Sequence, residues 1–305
     1  TLFGLLKSGD HIVCDWTTYS STHEMLDHRL TDYGITTTFV DTADLDAVRN
    51  AIQENTKVLY FESIANPSMK VPNFDALVEI GHKNDLVVVC DNTFASPYVV
   101  RPLDWGVDIV IESATKFIGG HNDALGGVIA MKSKLLPSDF METIRWNTMV
   151  KWGSPLSPFN AWVLLRGIQT LSVRLERQCK TAMTLAKYFS EHPKVKSVWY
   201  PGLESHPQHE LAKKQMPKFG GMLTFEVKNG DDALTVLDNL ELACFAASLG
   251  GVRTTTQIPA TMAFLDIPEE ERQEMGIYQG MIRVSTGLED SDDLIADFES
   301  ALSLI

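Results

Sequence analysis

Short runs of apolar residues alternate along this chain with segments whose apolar residues recur every three to four positions. Such runs are typical of buried strands, and such spacing is typical of amphipathic helices. In the first half, strands are predicted at 11–15, 36–40, 57–61, 86–90, 108–111 and 127–131. Helices are predicted at 22–33, 44–53 and 73–83, and residues 1–7 have the pattern of a helix end. This alternation predicts a mostly parallel sheet with helices on both faces.

The second half has a different pattern. A long helical stretch at 158–190 is predicted to link two domains. Further strands are predicted at 195–200, 222–227, 243–247 and 281–285, with helices at 206–216, 231–239 and 291–303. We therefore predict a large α/β domain at 1–157 and, at 158–305, the linking helix with a smaller α+β domain.

Composition excludes several classes of protein. With 305 residues and 44% hydrophobic residues, the chain can bury a large core. Its net charge of −14 argues against a nucleic-acid partner, and the absence of a run of about 18 apolar residues argues against a membrane span. The four scattered cysteines predict buried thiols in a reducing compartment, the cytoplasm. His206 and His209 are interpreted as parts of a helix entry, so no metal site is predicted.

One lysine stands at a chemically suggestive position. A predicted strand at 107–111 leads into Ser113-Ala114-Thr115-Lys116, and a glycine-rich turn follows. A lysine at the end of a buried strand can be desolvated, which makes its amine nucleophilic and able to form a Schiff base with the aldehyde of pyridoxal phosphate. Ser113 and Thr115 could hold the phosphate of that cofactor through their hydroxyls. The alternative is an ordinary surface lysine.

An aspartate provides the matching acid. Asp91 directly follows the predicted strand 86–90, and it precedes Lys116 by 25 residues. Ligands of open α/β sheets bind at the carboxyl ends of the strands, and pyridoxal phosphate needs an acid that keeps its pyridine nitrogen protonated. Alone, Asp91 could equally be a turn former or a helix cap. Together with Lys116, it predicts a pyridoxal phosphate site.

Several segments match the pattern of one enzyme family. They are residues 60–67, 91–97, 113–123, 157–162, 200–207 and 282–290. With these segments the chain resembles, over essentially its whole length, the Cys/Met-metabolism family of pyridoxal-phosphate enzymes. That family includes cystathionine γ-synthase, cystathionine γ- and β-lyases, methionine γ-lyase and homoserine sulfhydrylases. The resemblance implies a fold-type I, transferase-like α/β architecture and a small-molecule amino-acid substrate.

The resemblance also implies roles for cofactor-binding residues. Lys116 would form the Schiff base and act as the catalytic base, and Asp91 would pair with the pyridine nitrogen. Tyr19 would stack on the cofactor ring and protonate the departing sulfur, although a half-buried core tyrosine is the alternative. Asn66 would bind the phenolic oxygen of the cofactor, unless it only forms a turn before Pro67. Glu62 would help to order the site.

Further residues are expected to bind the substrate. Arg283 matches the anchor of the α-carboxylate, because the planar guanidinium can bind a carboxylate through two hydrogen bonds; a structural ion pair is the alternative. Ser248 matches a second carboxylate contact. Ser21 stands where methionine γ-lyases carry cysteine. Arg253 stands where several members carry glutamate, and it would favour a substrate with an anionic distal group.

The segment 258–264 lacks the two histidines that are usual in the family, so its pocket wall should be more apolar. Segments 157–162 and 200–207 favour a γ-eliminating C–S lyase that resembles methionine or cystathionine γ-lyase. The alternatives are a γ-replacement transferase, such as cystathionine γ-synthase or a homoserine sulfhydrylase, and a pyridoxal-phosphate-binding protein without turnover.

The resemblance also implies an assembly. Family members form homotetramers, as dimers of dimers, in which an N-terminal arm completes the neighbour's site. This chain starts after the position of that arm, and its first residue is Thr1 rather than methionine. We therefore expect that these residues are a fragment of a longer polypeptide.

Overall fold

The first of two β-sheets has six strands in the order β2-β1-β3-β4-β5-β6. The computed structural model describes residues 1–265 and 267–305. Strands β1 to β5 are parallel, whereas β6 runs antiparallel to β5. The strands are β1 His11–Asp15, β2 Thr36–Val40, β3 Thr56–Glu62, β4 Val87–Asp91, β5 Ile109–Ser113 and β6 Gly127–Met131. The predicted mostly parallel sheet is therefore confirmed.

Helices connect these strands. They are α1 Leu2–Leu5, α2 Ser20–Glu24, α3 Leu45–Ala51, α4 Phe74–Lys83, α5 Ser96–Val99 and α6 Phe140–Thr143. Side-chain caps fix two of the starts: Asp44 accepts from Asp46 N and Ala47 N, and Asn73 accepts from Ala76 N. Such caps satisfy backbone N–H groups that have no partner within the helix.

The second sheet has five strands in the order β7-β8-β11-β10-β9. They are β7 Ser197–Trp199, β8 Met222–Glu226, β9 Cys244–Phe245, β10 Thr255–Gln257 and β11 Met281–Ser285. The helices of this half are α7 Pro158–Gly167, α8 Leu171–Glu191, α9 His209–Gln215, α10 Gly230–Asp238, α11 Pro259–Met262, α12 Glu269–Glu274 and α13 Ser291–Leu302. The predicted smaller α+β unit is present.

The predicted linking helix is interrupted. A 3-10 turn at Ile168–Thr170 separates α7 from α8. At this point Gly167 packs so tightly on the Gly119 carbonyl that a Cβ would collide with it. Leu175 of α8 packs in the core of the first sheet, and Phe189 packs in that of the second. Because α8 contributes residues to both cores, the domain boundary between residues 157 and 158 stays a prediction.

Other predicted elements differ in extent. The helix predicted at 22–33 consists of α2, a π-helical stretch Met25–Arg29 and a 3-10 turn Thr31–Tyr33, and Gly34 ends it with φ 72°. The helix predicted at 206–216 begins only at His209. Strands β7 and β9 are shorter than predicted, and β10, α11 and α12 were not predicted. None of the helices in residues 1–265 and 267–305 has the length and apolar character needed to cross a membrane.

Candidate active site

A cavity of about 420 Å³ lies where the two sheets meet. Residues at or just after the carboxyl ends of β3, β4 and β5 form one side, and β10, β11 and the loop around Ser248 form another. This size is typical of small-ligand sites. The lining residues are Tyr19, Ser20, Glu62, Asn66, Asp91, Thr93, Phe94, Ser113, Thr115, Lys116, Leu125, Ala247, Ser248, Leu249, Gln257, Met262, Ala263 and Arg283.

Lys116 projects its amine into this cavity. Its Nζ donates to Ser248 Oγ at 2.9 Å. Burial, and then the nearby charge of Arg283, lower the pKa of Lys116 below that of a free lysine. The amine therefore loses its proton more readily than a surface lysine does, as a nucleophile or base requires.

The backbone of Lys116 is fixed by a close approach between the two halves of the chain. Gly250 has φ +79°, and a Cβ on it would lie 2.6 Å from the Phe117 amide nitrogen. Only glycine fits this conformation and this distance. Gly250 N donates to Ser285 Oγ at 2.8 Å, which ties the loop to β11. The second sheet thus positions the loop that meets Lys116.

Asp91 is the last residue of β4, one strand away from β5. Its Oδ1 accepts from Thr93 N at 2.9 Å, and Thr93 Oγ1 accepts from Ser113 N at 2.9 Å. Burial raises the pKa of Asp91, and the hydrogen bonds from Thr93 oppose this rise. These contacts fix the carboxyl at the cavity wall.

Two further carboxyls lie beside Asp91. Glu62 Oε1 accepts from Tyr19 N at 2.7 Å, and Glu112 Oε1 accepts from Asn92 Nδ2 at 2.9 Å. Burial, and then the charge of Asp91, raise the pKa of Glu62 well above its usual value. Burial raises that of Glu112 to about 8. Within the part of the chain that the structure describes, no ion pair involves these three carboxyls, so Asp91 and Glu62, which line the cavity, have no cationic partner there.

Arg283 occupies the opposite side. It is only 4% exposed, its Nη1 donates to Asn66 Oδ1 at 3.0 Å, and its Nη2 donates to Ser248 O at 3.0 Å. Burial lowers its pKa to about 10. No carboxylate pairs with it among residues 1–265 and 267–305, so the structural ion pair considered above is absent there. A buried cation without a counter-ion favours an anionic ligand.

Comparison with known proteins identifies the family. The model of the Cys/Met metabolism PLP-dependent enzymes matches residues 1–303. The chain belongs to this family. An L-methionine γ-lyase of Fusobacterium nucleatum is 45% identical over 307 residues, covering 100% of this chain and 77% of the relative. The crystal structure of cystathionine γ-lyase from Lactobacillus plantarum with L-serine superposes with a TM-score of 0.93 at 38% identity, covering 99% of this chain and 78% of that one.

A second solved structure bears on the cofactor of the family. A structure from Campylobacter jejuni carries N'-pyridoxyl-lysine-5'-monophosphate. It superposes with a TM-score of 0.96 at 33% identity, and the match covers 99% of this chain and 79% of the Campylobacter chain. The chain is thus a PLP-dependent enzyme of the C–S lyase and γ-replacement family with the predicted fold. Its cavity fits the cofactor, because it combines one desolvated amine, carboxyls without a cation and the hydroxyls of Ser113 and Thr115.

Nine predicted site residues line the cavity together. They are Tyr19, Glu62, Asn66, Asp91, Ser113, Thr115, Lys116, Ser248 and Arg283. Ser21 and Arg253 are exposed and do not line it; Arg253 Nη2 lies 3.5 Å from Leu242 O. Their roles remain predictions.

Sequence reasoning gave no role to several residues that line the cavity, among them Thr93 and Gln257. The position of Thr93, two residues after Asp91, could have indicated it. Gln257 lies on β10, whose Thr-Thr-Gln sequence has no apolar run that would predict a strand. No cluster of possible metal ligands occurs in residues 1–265 and 267–305.

Glu112 should make stability depend on pH. Its folded pKa of about 8 lies above the ordinary 4.5, so between these values the folded state keeps a proton that the unfolded state loses. The free energy of unfolding should therefore fall as pH rises from about 5 to 8, by on the order of 3–5 kcal/mol. The neutral, equally shaped Glu112→Gln should lack this fall in urea unfolding curves. Parallel pH profiles of the wild type and Glu112→Gln would refute the assignment, and exposed Glu204→Gln serves as the control.

Proposed function

We propose that this enzyme cleaves the γ carbon–sulfur bond of a sulfur-containing amino acid by elimination. Acting on methionine, it would consume water and release methanethiol, ammonia and 2-oxobutanoate. The observation that carries the proposal is the cavity itself: it places the Lys116 amine next to a buried arginine that lacks an anionic partner. The L-methionine γ-lyases among the relatives support the same reaction.

Residues on one side of the cavity would hold the cofactor. When bound, pyridoxal phosphate supplies an aldehyde that reacts with amines and a ring that accepts negative charge. Asp91 would face the ring nitrogen, and Asn66 would bind the phenolic oxygen. Ser113 and Thr115 would donate to the phosphate. Thr115 Oγ1 accepts from Gly126 N at 3.0 Å and donates to Gly126 O at 3.3 Å, and a phosphate can replace the carbonyl as the acceptor of this longer bond. Tyr19 would stack on the ring.

The remaining residues would act on the substrate. Arg283 would bind the α-carboxylate, with Ser248 as its second contact. Lys116 Nζ would take the proton from Cα, for which its lowered pKa suits it. The phenol of Tyr19 would donate a proton to the departing sulfur. Tyr19 suits this role for two reasons. Its backbone N donates to Glu62 Oε1 at 2.7 Å, which holds the residue in place, and its side chain is 52% exposed at the cavity.

The cavity wall favours an uncharged γ-substituent. Phe94, Leu125 and Met262 give this wall an apolar character, in line with the missing histidines. Arg253, which would favour an anionic substrate, does not line the cavity. A thioether such as that of methionine therefore fits the wall better than a succinyl or phosphoryl group.

The deciding experiment compares elimination with replacement. The pyridoxal-phosphate-loaded enzyme is incubated separately with methionine, with cystathionine, and with acyl- or phosphohomoserine plus cysteine. We expect α-keto acid and ammonia from a thioether without added thiol. Cystathionine formed only when an activated homoserine and cysteine are both present would instead establish a γ-replacement transferase. No product from any mixture would indicate a protein that binds the cofactor without turnover.

We also propose that the enzyme assembles into a homotetramer, a dimer of dimers. Exposed apolar side chains are concentrated on α7 and close to it in the sequence; they are Trp152, Phe159, Trp162, Leu165 and Val173, which are 58% to 73% exposed. An apolar surface of this kind favours association. It reaches the cavity, because Asn160 Nδ2 donates at 2.9 Å to the carbonyl of the lining residue Leu125.

Trp162→Glu should therefore dissociate the assembly, because it places a charge in the buried interface. Sedimentation equilibrium should give a smaller species for this variant, and Leu304→Glu, which changes an exposed leucine at the end of the chain, should leave the mass unchanged. A wild type that sediments as a monomer would contradict the proposal.

The cytoplasm remains the proposed location. All four cysteines are free, and Cys14, Cys90 and Cys179 are buried, whereas Cys244 is half-buried. Free thiols are typical of reducing compartments. Fractionation of the source cells would test the location, and recovery outside the cytoplasmic fraction would refute it.

A further inference from the structure

Gln257 lines the cavity, and its side-chain amide is free to bind a ligand there. It is the last residue of β10, lines the cavity and is only 4% exposed. Within residues 1–265 and 267–305, its side chain makes no hydrogen bond. Its amide atoms are not fully buried, so they stay accessible from the cavity that the residue lines. A bound ligand can supply the missing partner.

The strand register places Gln257 beside Arg283. The two residues pair directly in the antiparallel ladder between β10 and β11. Directly paired residues of antiparallel strands extend from the same face of the sheet, with Cβ atoms about 4.5–5.5 Å apart. Both side chains line the cavity, so the amide and the guanidinium can reach one small ligand together.

Arg283 does not use the amide. Its Nη1 and Nη2 donate to Asn66 Oδ1 and Ser248 O, so the oxygen of Gln257 is not needed to hold it. A carboxylate has about four acceptor positions on its two oxygens. Arg283 can fill only some of them, which leaves positions for a second donor.

We propose that Gln257 is a substrate-binding residue whose Nε2 donates to the α-carboxylate that Arg283 binds. This inference rests on the proposed function, in which Arg283 anchors that carboxylate. Gln257 adds a neutral, directional donor next to the cation. The amide thereby contributes to selection of α-amino acids over amines that lack the carboxylate.

Glycine and methylamine form a matched pair for the test, because they differ only in the carboxylate. The pyridoxal-phosphate-loaded enzyme is titrated with each, and the change in visible absorbance gives Kd without turnover. Gln257→Met, which keeps the length of the side chain, should raise Kd for glycine by about tenfold to hundredfold, the effect of one hydrogen bond to a charged group. Kd for methylamine should not change.

Two more variants sharpen the test. Gln257→Glu should weaken glycine binding at least as much, because the new carboxylate would pair with Arg283. Thr256→Val alters the preceding residue of the same strand, whose side chain points to the other face of the sheet. It should leave both Kd values unchanged, which controls for damage to β10.

The possible outcomes distinguish the role of Gln257 from the proposed reaction. Equal weakening of glycine and methylamine by Gln257→Met, or no weakening of either, would overturn the role of Gln257. Carboxylate-specific weakening in an enzyme that eliminates nothing from thioethers would support Gln257 and reject the proposed reaction. A wild type that does not respond to glycine would contradict both.

Discussion

Lys116→Arg is expected to lower kcat for γ-elimination by about 10³-fold or more, because it removes both the nucleophile and the base. Arginine keeps the positive charge, but it stays protonated and can neither attack an aldehyde nor take a proton from Cα. The lowered pKa of Lys116 and its 2.9 Å hydrogen bond to Ser248 Oγ indicate that this amine is prepared for both tasks. Keto-acid formation measures the loss, and the visible absorbance of lysine-bound cofactor should disappear.

The matched control is Lys187→Arg, which makes the same exchange at an exposed position of α8. It should retain full activity and the visible absorbance. If Lys116→Arg kept about a tenth of the wild-type kcat, the amine would not be the essential group. A normal thermal midpoint for the variant would show that the loss is not due to unfolding.

Asp91→Asn is expected to lower kcat by on the order of 10²-fold or more, because it neutralises the carboxylate that we propose keeps the cofactor nitrogen protonated. The amide has the same shape, and its oxygen can still accept the 2.9 Å hydrogen bond from Thr93 N, so the end of β4 should keep its conformation. The defect should therefore appear in kcat and in the visible spectrum while cofactor binding weakens less. Steady-state assays at saturating cofactor measure it.

Asp91→Glu provides the conservative comparison. It restores the negative charge at a shifted position, so it should recover part of the activity that Asp91→Asn loses. If Asp91→Asn were as active as the wild type, Asp91 would serve only as the structural turn residue that the sequence also allowed. If both variants failed to bind the cofactor, although Asn can keep the hydrogen bond from Thr93 N, the carboxylate at its native position would be needed for binding rather than for turnover.

Local sequence pattern was sufficient for the first sheet. Strands such as β1 and β4 lie within one residue of where apolar runs predicted them, because a buried parallel strand needs consecutive apolar side chains. The positions of Asp91 and Lys116 followed from the same reasoning. Asp91 directly follows the predicted strand at 86–90, and Lys116 lies a few residues after the predicted strand at 107–111. With the resemblance to the family, nine of the 18 residues that line the cavity were named.

Local pattern failed where long-range packing decides the structure. The helix predicted at 158–190 is interrupted directly after Gly167, where the Gly119 backbone lies against it; the two glycines are 48 positions apart in the sequence, so no local pattern reveals this contact. Strand β10 has polar residues and exists because β11 and β9 pair with it. Ser21 and Arg253 match family positions in sequence, yet in the folded chain their side chains lie outside the cavity.

By itself, then, the sequence determined the strand series, the family and the chemical groups at the carboxyl ends of β4 and β5. Only the tertiary structure decided which groups share one cavity: Lys116 meets Ser248 across 132 residues, and Arg283 meets Asn66 across 217. It also placed Gln257 beside Arg283. The physical reason is that strand formation depends on neighbouring residues, whereas these contacts depend on how the two sheets pack, with Gly250 allowing its loop to lie close to the backbone of Lys116 and Phe117.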